Sequence, residues 1–210
     1  DIYGWGEATV EWKTRAVVGV IEDLKPLLIG KDPRDIKQNF QIMTKHGFWK
    51  LGVIGMSAIS GIEHALWDIL GKSLNTPVWQ LLGGKVRNKI KIYTHLGMGD
   101  MKAVYRDTME KNKLNEHAAA LIEKGYKAFK VVFIPFTHHT NSVKNLEKIN
   151  QLMASLRDEV GDDIDIMVDF HGRCASGISA IQYINELQPY KPFFIEEPIL
   201  PGDNKTLLQI

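Results

Sequence analysis

At 210 residues the chain has room for one sizeable domain or two small ones, and its 26 basic residues nearly balance 25 acidic ones. That balance gives no electrostatic reason to expect nucleic acid or an anionic membrane as partner, and leaves room for a small anionic substrate held by local charges. The single cysteine, Cys174, excludes an intrachain disulfide framework and fits a reducing, cytoplasmic setting; no apolar run approaches the ~20 residues of a membrane helix, and no signal peptide is visible.

The chain opens on Asp1 and stops at Ile210 in what reads as the first turns of a helix, so both ends read as cut. Residues Tyr3 to Glu11 read as a strand end punctuated by Gly4 and Gly6. Val17, Val20, Ile21, Leu24 and Leu28 then recur at helical spacing, predicting a helix over 14–28 that Gly30 ends. Asp32 and Pro33 suit the cap and first turn of a second helix reaching Thr44. A glycine-broken loop carrying Phe48 and Trp49 follows, then a strong helix over 56–74 whose apolar face includes Ile59, Ile62, Leu66 and Ile69. Trp67 and Trp79 read as core. A short helical turn after Asn75-Thr76-Pro77 ends at Gly83-Gly84.

After Arg87 the rhythm changes to strand-like runs alternating with amphipathic helices. Strands are predicted over 89–96, 128–136, 164–170 and 193–197, with helices over 112–124, 143–160 and 176–187 between them. Such alternation argues for right-handed crossovers on a parallel sheet, either an open doubly wound sheet or half of an eight-fold barrel. The first strand-to-helix turn has no Gly-x-Gly-x-x-Gly, which disfavours a dinucleotide site and favours the half barrel. The fold class is therefore α/β, with a helix-rich part over 1–88 and the first four strands of a barrel over 89–210.

Parallel barrels place their chemistry at the carboxyl ends of the strands. Here the third strand ends Asp169-Phe170-His171, and a side-chain period of two puts Asp169 and His171 on one face. The fourth ends Glu196-Glu197-Pro198. Strands lie about 4.8 Å apart, so carboxylates at both tips can converge on one hard cation such as magnesium, which takes oxygen ligands. On the second strand Lys130 sits in an apolar run, where an ammonium needs a negative partner. His95 closes the first strand, as a hydrogen-bonded structural histidine or as a substrate contact. Asp169 taken alone is equally a turn former, and His138-His139 reads as a solvated loop. Cys174 has no evident nucleophile environment. The coincidence of Lys, Asp-x-His and Glu at the ends of consecutive strands is what favours a site.

These residues resemble the mandelate racemase branch of the enolase superfamily, and within it the galactonate-type acid-sugar dehydratases. Asp169-Phe170-His171-Gly172-Arg173 and Phe194-Ile195-Glu196-Glu197-Pro198 carry the resemblance in the second part. Gly4-Trp5-Gly6-Glu7, Met56-Ser57-Ala58-Ile59-Ser60-Gly61-Ile62 and Ala65-Leu66-Trp67-Asp68-Ile69-Leu70-Gly71-Lys72 carry it in the first. The resemblance implies a capping domain, truncated at its N-terminus over 1–88, and a catalytic TIM-type barrel cut after its fourth strand.

It further implies that Asp169 and Glu196 are magnesium ligands and that His171 is the general acid. Lys130, His95 and Trp49 are the implied substrate contacts, Trp49 from a loop that closes over the substrate. The third metal carboxylate and the proton-abstracting His-Asp pair are expected beyond Ile210, so the 210-residue piece alone is expected to be inactive. The implied reaction is magnesium-dependent dehydration of an aldonate such as galactonate or gluconate to a 2-keto-3-deoxy acid through an enediolate. A homo-oligomer is the expected full-length assembly. Many relatives carry Lys-x-Lys on the second strand, whereas here Val132 takes the second position, which argues against a two-base racemase. The run through Pro135, Phe136 and Thr137 also departs from the galactonate-type pattern and leaves the sugar acid open. Racemisation, cycloisomerisation and a non-catalytic regulatory role remain the alternatives.

Overall fold

The computed structural model describes residues 1–96, 110–137 and 139–210. The chain forms two compact units, Asp1–Lys89 and Ile90–Ile210. His138 lies outside the described residues.

The first unit is helical. Helix α1 (Thr14–Leu28), α2 (Ile36–Lys45) and α3 (Gly52–Ser73) pack around Leu24, Met43 and Ile59, all at most 1% exposed, and α4 (Val78–Leu81) follows. α1 has the predicted bounds because its apolar residues fall on one stripe. α2 starts later than predicted. Asp32 spends its carboxylate on the backbone N–H and guanidinium of Arg34, a local turn that moves the helix start to Ile36. Hydrogen bonds from the Arg34 side chain and backbone hold the Asp32 carboxyl down at about 2.

Residues 3–11 form no strand, because no strand pairs with them among the described residues. They dock on α3 instead. Trp5 N–H donates to Asp68 Oδ2 at 2.8 Å, and the Lys72 ammonium joins Tyr3 O at 2.9 Å to the same Asp68 oxygen at 2.8 Å. By length and composition α3 is apolar enough to cross a bilayer, contrary to the expectation that no segment is. In this unit it is the central core helix, burying Ala58, Ile59, Gly61, Leu66 and Gly71. Trp79 is not core: half exposed, it lies under the Lys85 ammonium.

The second unit is a four-stranded parallel sheet in the order β1 (Thr94–Leu96), β2 (Ala128–Val131), β3 (Asp165–Asp169), β4 (Phe194–Glu196). Helices α5 (Lys111–Glu123), α6 (Val143–Val160) and α7 (Gly177–Leu187) connect the strands, and α8 (Asn204–Leu207) follows β4. β1 is shorter than predicted because β2 begins only at Ala128, and the ladder pairs Thr94 with Phe129. Upstream of it Lys91 instead makes an ion pair with Asp165.

Strand alternation sends Phe129, Val131, Ile166 and Val168 to the helices, where Leu114, Ala118, Ile149, Met153, Leu156, Ala180 and Leu187 meet them. Among the described residues, side chains cap three helices, with Asp203 accepting from Thr206 N–H at the start of α8. The Ser142 hydroxyl accepts from Asn145 N–H, and Ser176 and Ser179 make a reciprocal box at the start of α7. The chain as a whole is mixed α/β, with a helical capping unit in its first part and the first four strands of a barrel, with their helices, in its second.

Candidate functional site

Strand register builds the site. His95, Lys130, Met167 and Phe194 occupy one row across the sheet, and Asp169 pairs with Glu196 one pleat further on. Residues two apart share a face, so Asp169 stands on the side of Met167, and Lys130 shares that side. The lysine stem reaches forward to the next row. There its Nζ lies 3.0 Å from both oxygens of Glu196 and 3.1 Å from Asp169 Oδ2.

Lys130 is 8% exposed and Asp169 4%, whereas the Glu196 side chain keeps 34% of its surface open. Burial opposes the Lys130 charge, but hydrogen bonds to Glu196 and then Asp169, with the charges behind them, hold its ammonium above the ordinary lysine range.

His171 joins this group differently from the simple alternation predicted. The strand ends at Asp169, and the chain turns with His171 in the left-handed region at φ 53°. Asp169 Oδ1 accepts the His171 backbone N–H at 2.7 Å and pins the turn. The ring Nδ1 then lies 3.9 Å from Asp169 Oδ1 and 3.6 Å from Glu197 Oε2. Asp169, His171 and Glu197 each bring a ligand atom within 4.8 Å of the others.

Glu197 was not among the predicted site residues. In an extended strand it would face away from Glu196, but its own left-handed φ of 43° folds it back. The only sequence signal was the doubled glutamate before Pro198.

Beside the tips, the loops after β2 and β3 are tied together. Arg173 Nη1 donates to Ile134 O at 2.7 Å, Thr137 N–H donates to Arg173 O, and the guanidinium lies over the Phe136 ring. Cys174 is buried there, and burial pushes its thiol up, which agrees with an inert role.

His95 sits beside Lys130 in register but is exposed, and among the described residues no hydrogen bond or ion pair joins it to the carboxylates. Trp49 belongs to the first unit, where it is 82% exposed and stacks edge-on against Phe48.

The donor set fits a hard divalent cation. Asp169 and Glu196 offer only oxygens, and three of these already surround one positive centre, the Lys130 ammonium, at 3.0–3.1 Å. Carboxylate oxygens gathered at neighbouring strand tips are the donor type that a hard divalent cation takes.

Comparison with known proteins gives the family. Residues 1–83 match the N-terminal domain family of mandelate racemase and muconate lactonizing enzyme, and residues 113–210 match the enolase C-terminal domain-like family. The chain is 41% identical over 199 residues to a D-galactonate dehydratase from Klebsiella pneumoniae (strain 342), covering 95% of this chain and 49% of that protein. It thus spans about half the length of the curated relatives it matches.

Among solved structures, a member of the enolase superfamily from Salmonella Typhimurium superimposes with TM-score 0.88 at 31% identity, over 99% of this chain and 57% of the other. An enolase from Pantoea ananatis, with bound D-gluconate and Mg, gives 0.81 at 28% identity, over 98% of this chain and 55% of the other.

Proposed function

Because the chain belongs to the mandelate racemase / muconate lactonizing enzyme family of the enolase superfamily, we propose that the whole protein is a magnesium-dependent acid-sugar dehydratase. It converts an aldonate such as galactonate or gluconate to a 2-keto-3-deoxy acid through the substrate's enediolate. The observation that carries this reading is the register pairing of Asp169 with Glu196 at adjacent strand ends, with a buried ammonium between their carboxylates. The D-galactonate dehydratase relatives and the gluconate-bound neighbour support the substrate class.

In this reading Asp169 and Glu196 hold the cation. A magnesium ion held there would supply positive charge to stabilise the negative charge that grows on the substrate carboxylate as the α-proton leaves. With the cation on Asp169 and Glu196, the Lys130 ammonium would be released toward the same substrate carboxylate and would add to that field. His171 gives a proton to the departing β-hydroxyl, because hydroxide is a poor leaving group, and general acid catalysis contributes about 10²–10⁴-fold. Val132, in place of a second lysine, removes a base from this strand, which suits a dehydratase whose base comes from elsewhere. Residues 1–88 act as the capping domain, and Trp49 acts in its closing loop.

The test is to incubate the full-length protein and Mg²⁺ with a set of aldonates and to assay 2-keto-3-deoxy acids. His171→Asn should abolish product while divalent-metal binding persists. Turnover by that variant, or no keto acid from any aldonate, would sink the assignment.

A further inference from the structure

Two carboxylates reach the ring of His171, and one of them is already committed. Asp169 Oδ1 accepts the His171 backbone N–H, and Oδ2 faces the Lys130 ammonium. Glu197 Oε2 is the nearer to Nδ1, at 3.6 Å against 3.9 Å, and its side chain is 42% exposed.

The backbone goes to some trouble to put it there. Glu197 and His171 both adopt left-handed conformations, at φ 43° and 53°, which cost energy in residues with a Cβ. Hydrogen bonds beyond the strand ends hold the two turns together. Phe170 N–H donates to Glu196 O and Gly172 N–H to Glu197 O, both at 2.9 Å. A glutamate needed only for solubility would require neither the strain nor the clamp. Paired strain of this kind, facing across two strand tips, is characteristic of functional positions.

We propose that Glu197 is a positioning residue for His171. Its carboxylate takes the Nδ1 side of the imidazole, sets the tautomer and leaves Nε2 to deliver the proton. Catalytic hydrogen bonds are often long without substrate and tighten in the complex, so 3.6 Å is compatible with this role. The proton passes from Nε2 to the β-hydroxyl oxygen as the β-carbon–oxygen bond breaks, and water leaves with that bond's electrons. The pair from the former α-carbon–hydrogen bond becomes the new carbon–carbon double bond. The ring is left as its Nδ1–H tautomer, the form that a carboxylate at Nδ1 holds. This role rests on the acid function given to His171 above.

The experiment uses the full-length, magnesium-loaded protein with Glu197→Gln, Glu197→Asp and His171→Asn. Glu197→Gln should lower kcat about 10²-fold with KM changed less than about threefold, the scale of losing a well-placed acid. Glu197→Asp should recover part of the loss. In D₂O, substrate recovered from the Glu197→Gln reaction should carry deuterium at the α-carbon, showing proton abstraction intact. A 3-deoxy-3-fluoro aldonate loses fluoride without needing a proton, so the variant should process it within about threefold of wild type.

Wild-type dehydration by Glu197→Gln overturns the proposal. So does an equal fall in fluoride and water elimination, which marks general collapse. His171→Asn separates the two levels. If it is inactive while Glu197→Gln is unimpaired, only the positioning role is lost. If it still dehydrates, or if wild type makes no keto acid from any aldonate, the dehydratase reading falls and this inference falls with it.

Discussion

Lys130 Nζ bridges both carboxylate oxygens of Glu196 at 3.0 Å, and its third contact is Asp169 Oδ2 at 3.1 Å. The lysine comes from the strand next to Asp169, and Glu196 from the strand beyond. One ammonium therefore pairs with acids from two neighbouring strand tips. Charge balance at the sheet's mouth depends on a residue buried in the middle of β2.

Removing that ammonium should leave two facing carboxylates without their cation. Breaking a fully buried pair costs about 3–5 kcal/mol; because Glu196 is one-third open to solvent, we expect Lys130→Met to cost about 2 kcal/mol in metal-free buffer. Mg²⁺ binding to the folded state should recover much of that loss. Urea unfolding of the full-length protein in EDTA and in Mg²⁺ makes the comparison. An identical deficit in both would argue against a shared cation position.

Asp169→Asn and Glu196→Gln should each weaken divalent-metal binding. The effect should exceed the ~10–100-fold lost with an outer-shell partner, because the donor itself is removed. Mn²⁺ titration followed by electron paramagnetic resonance reads this without turnover. Asp169→Asn should also loosen the His171 turn, since its Oδ1 holds the backbone N–H there. Unchanged Mn²⁺ affinity in either variant would remove that residue from the ligand set.

Much of this molecule was legible from residue order. Val17, Val20, Leu24 and Leu28 make a stripe that only a helix can bury, and α1 has the predicted bounds. Asp169 and Glu196 end apolar runs of strand length, so a parallel sheet brings them together whatever the loops do. Features set by single side-chain choices were not legible. The Asp32–Arg34 contact moved the start of α2, and the extended 3–11 segment found α3 rather than a strand. The left-handed turns at His171 and Glu197 depend on hydrogen bonds between two separate loops. Local pattern carries no trace of such tertiary clamps, and for that reason Glu197 escaped notice.

Tyr183 gives an alkaline prediction. Its side chain is fully buried against Phe170, and its hydroxyl has no hydrogen-bond partner among the described residues. Burial, then the nearby Cys174, pushes its phenol up to about 12 from 10. The unfolded chain releases this proton first. The contribution to stability is therefore complete below pH 10 and is lost as pH rises from 10 to 12, on the order of 2 kcal/mol. Tyr183→Phe should remove this decline. At neutral pH it should be neutral or stabilising by about 1 kcal/mol, since no hydroxyl is left unpaired. Unfolding free energies at pH 8, 10 and 11 decide it; a parallel decline in both proteins would contradict the assignment.

Gly6 sets how closely the N-terminal segment approaches α3. A Cβ there would lie 1.8 Å from Gly61 O, and one at Gly4 would lie 2.1 Å from Ala65 O, both backbone atoms that cannot swing aside. Gly61 is matched to this contact, since its own Cβ would lie 2.5 Å from the Ala8 Cβ. Gly6→Ala must therefore lift the segment off the helix or shift the helix. Overpacking of this kind costs about 1–3 kcal/mol, and we expect the upper part of that range because backbone is involved. Lifting the segment also strains the bond from Trp5 N–H to Asp68. Hydrogen exchange at the Trp5 amide should then accelerate strongly in Gly6→Ala, while exchange in α6, within the other unit, stays as in wild type. Wild-type protection of Trp5 in the variant would show that the segment is not seated on α3 in solution.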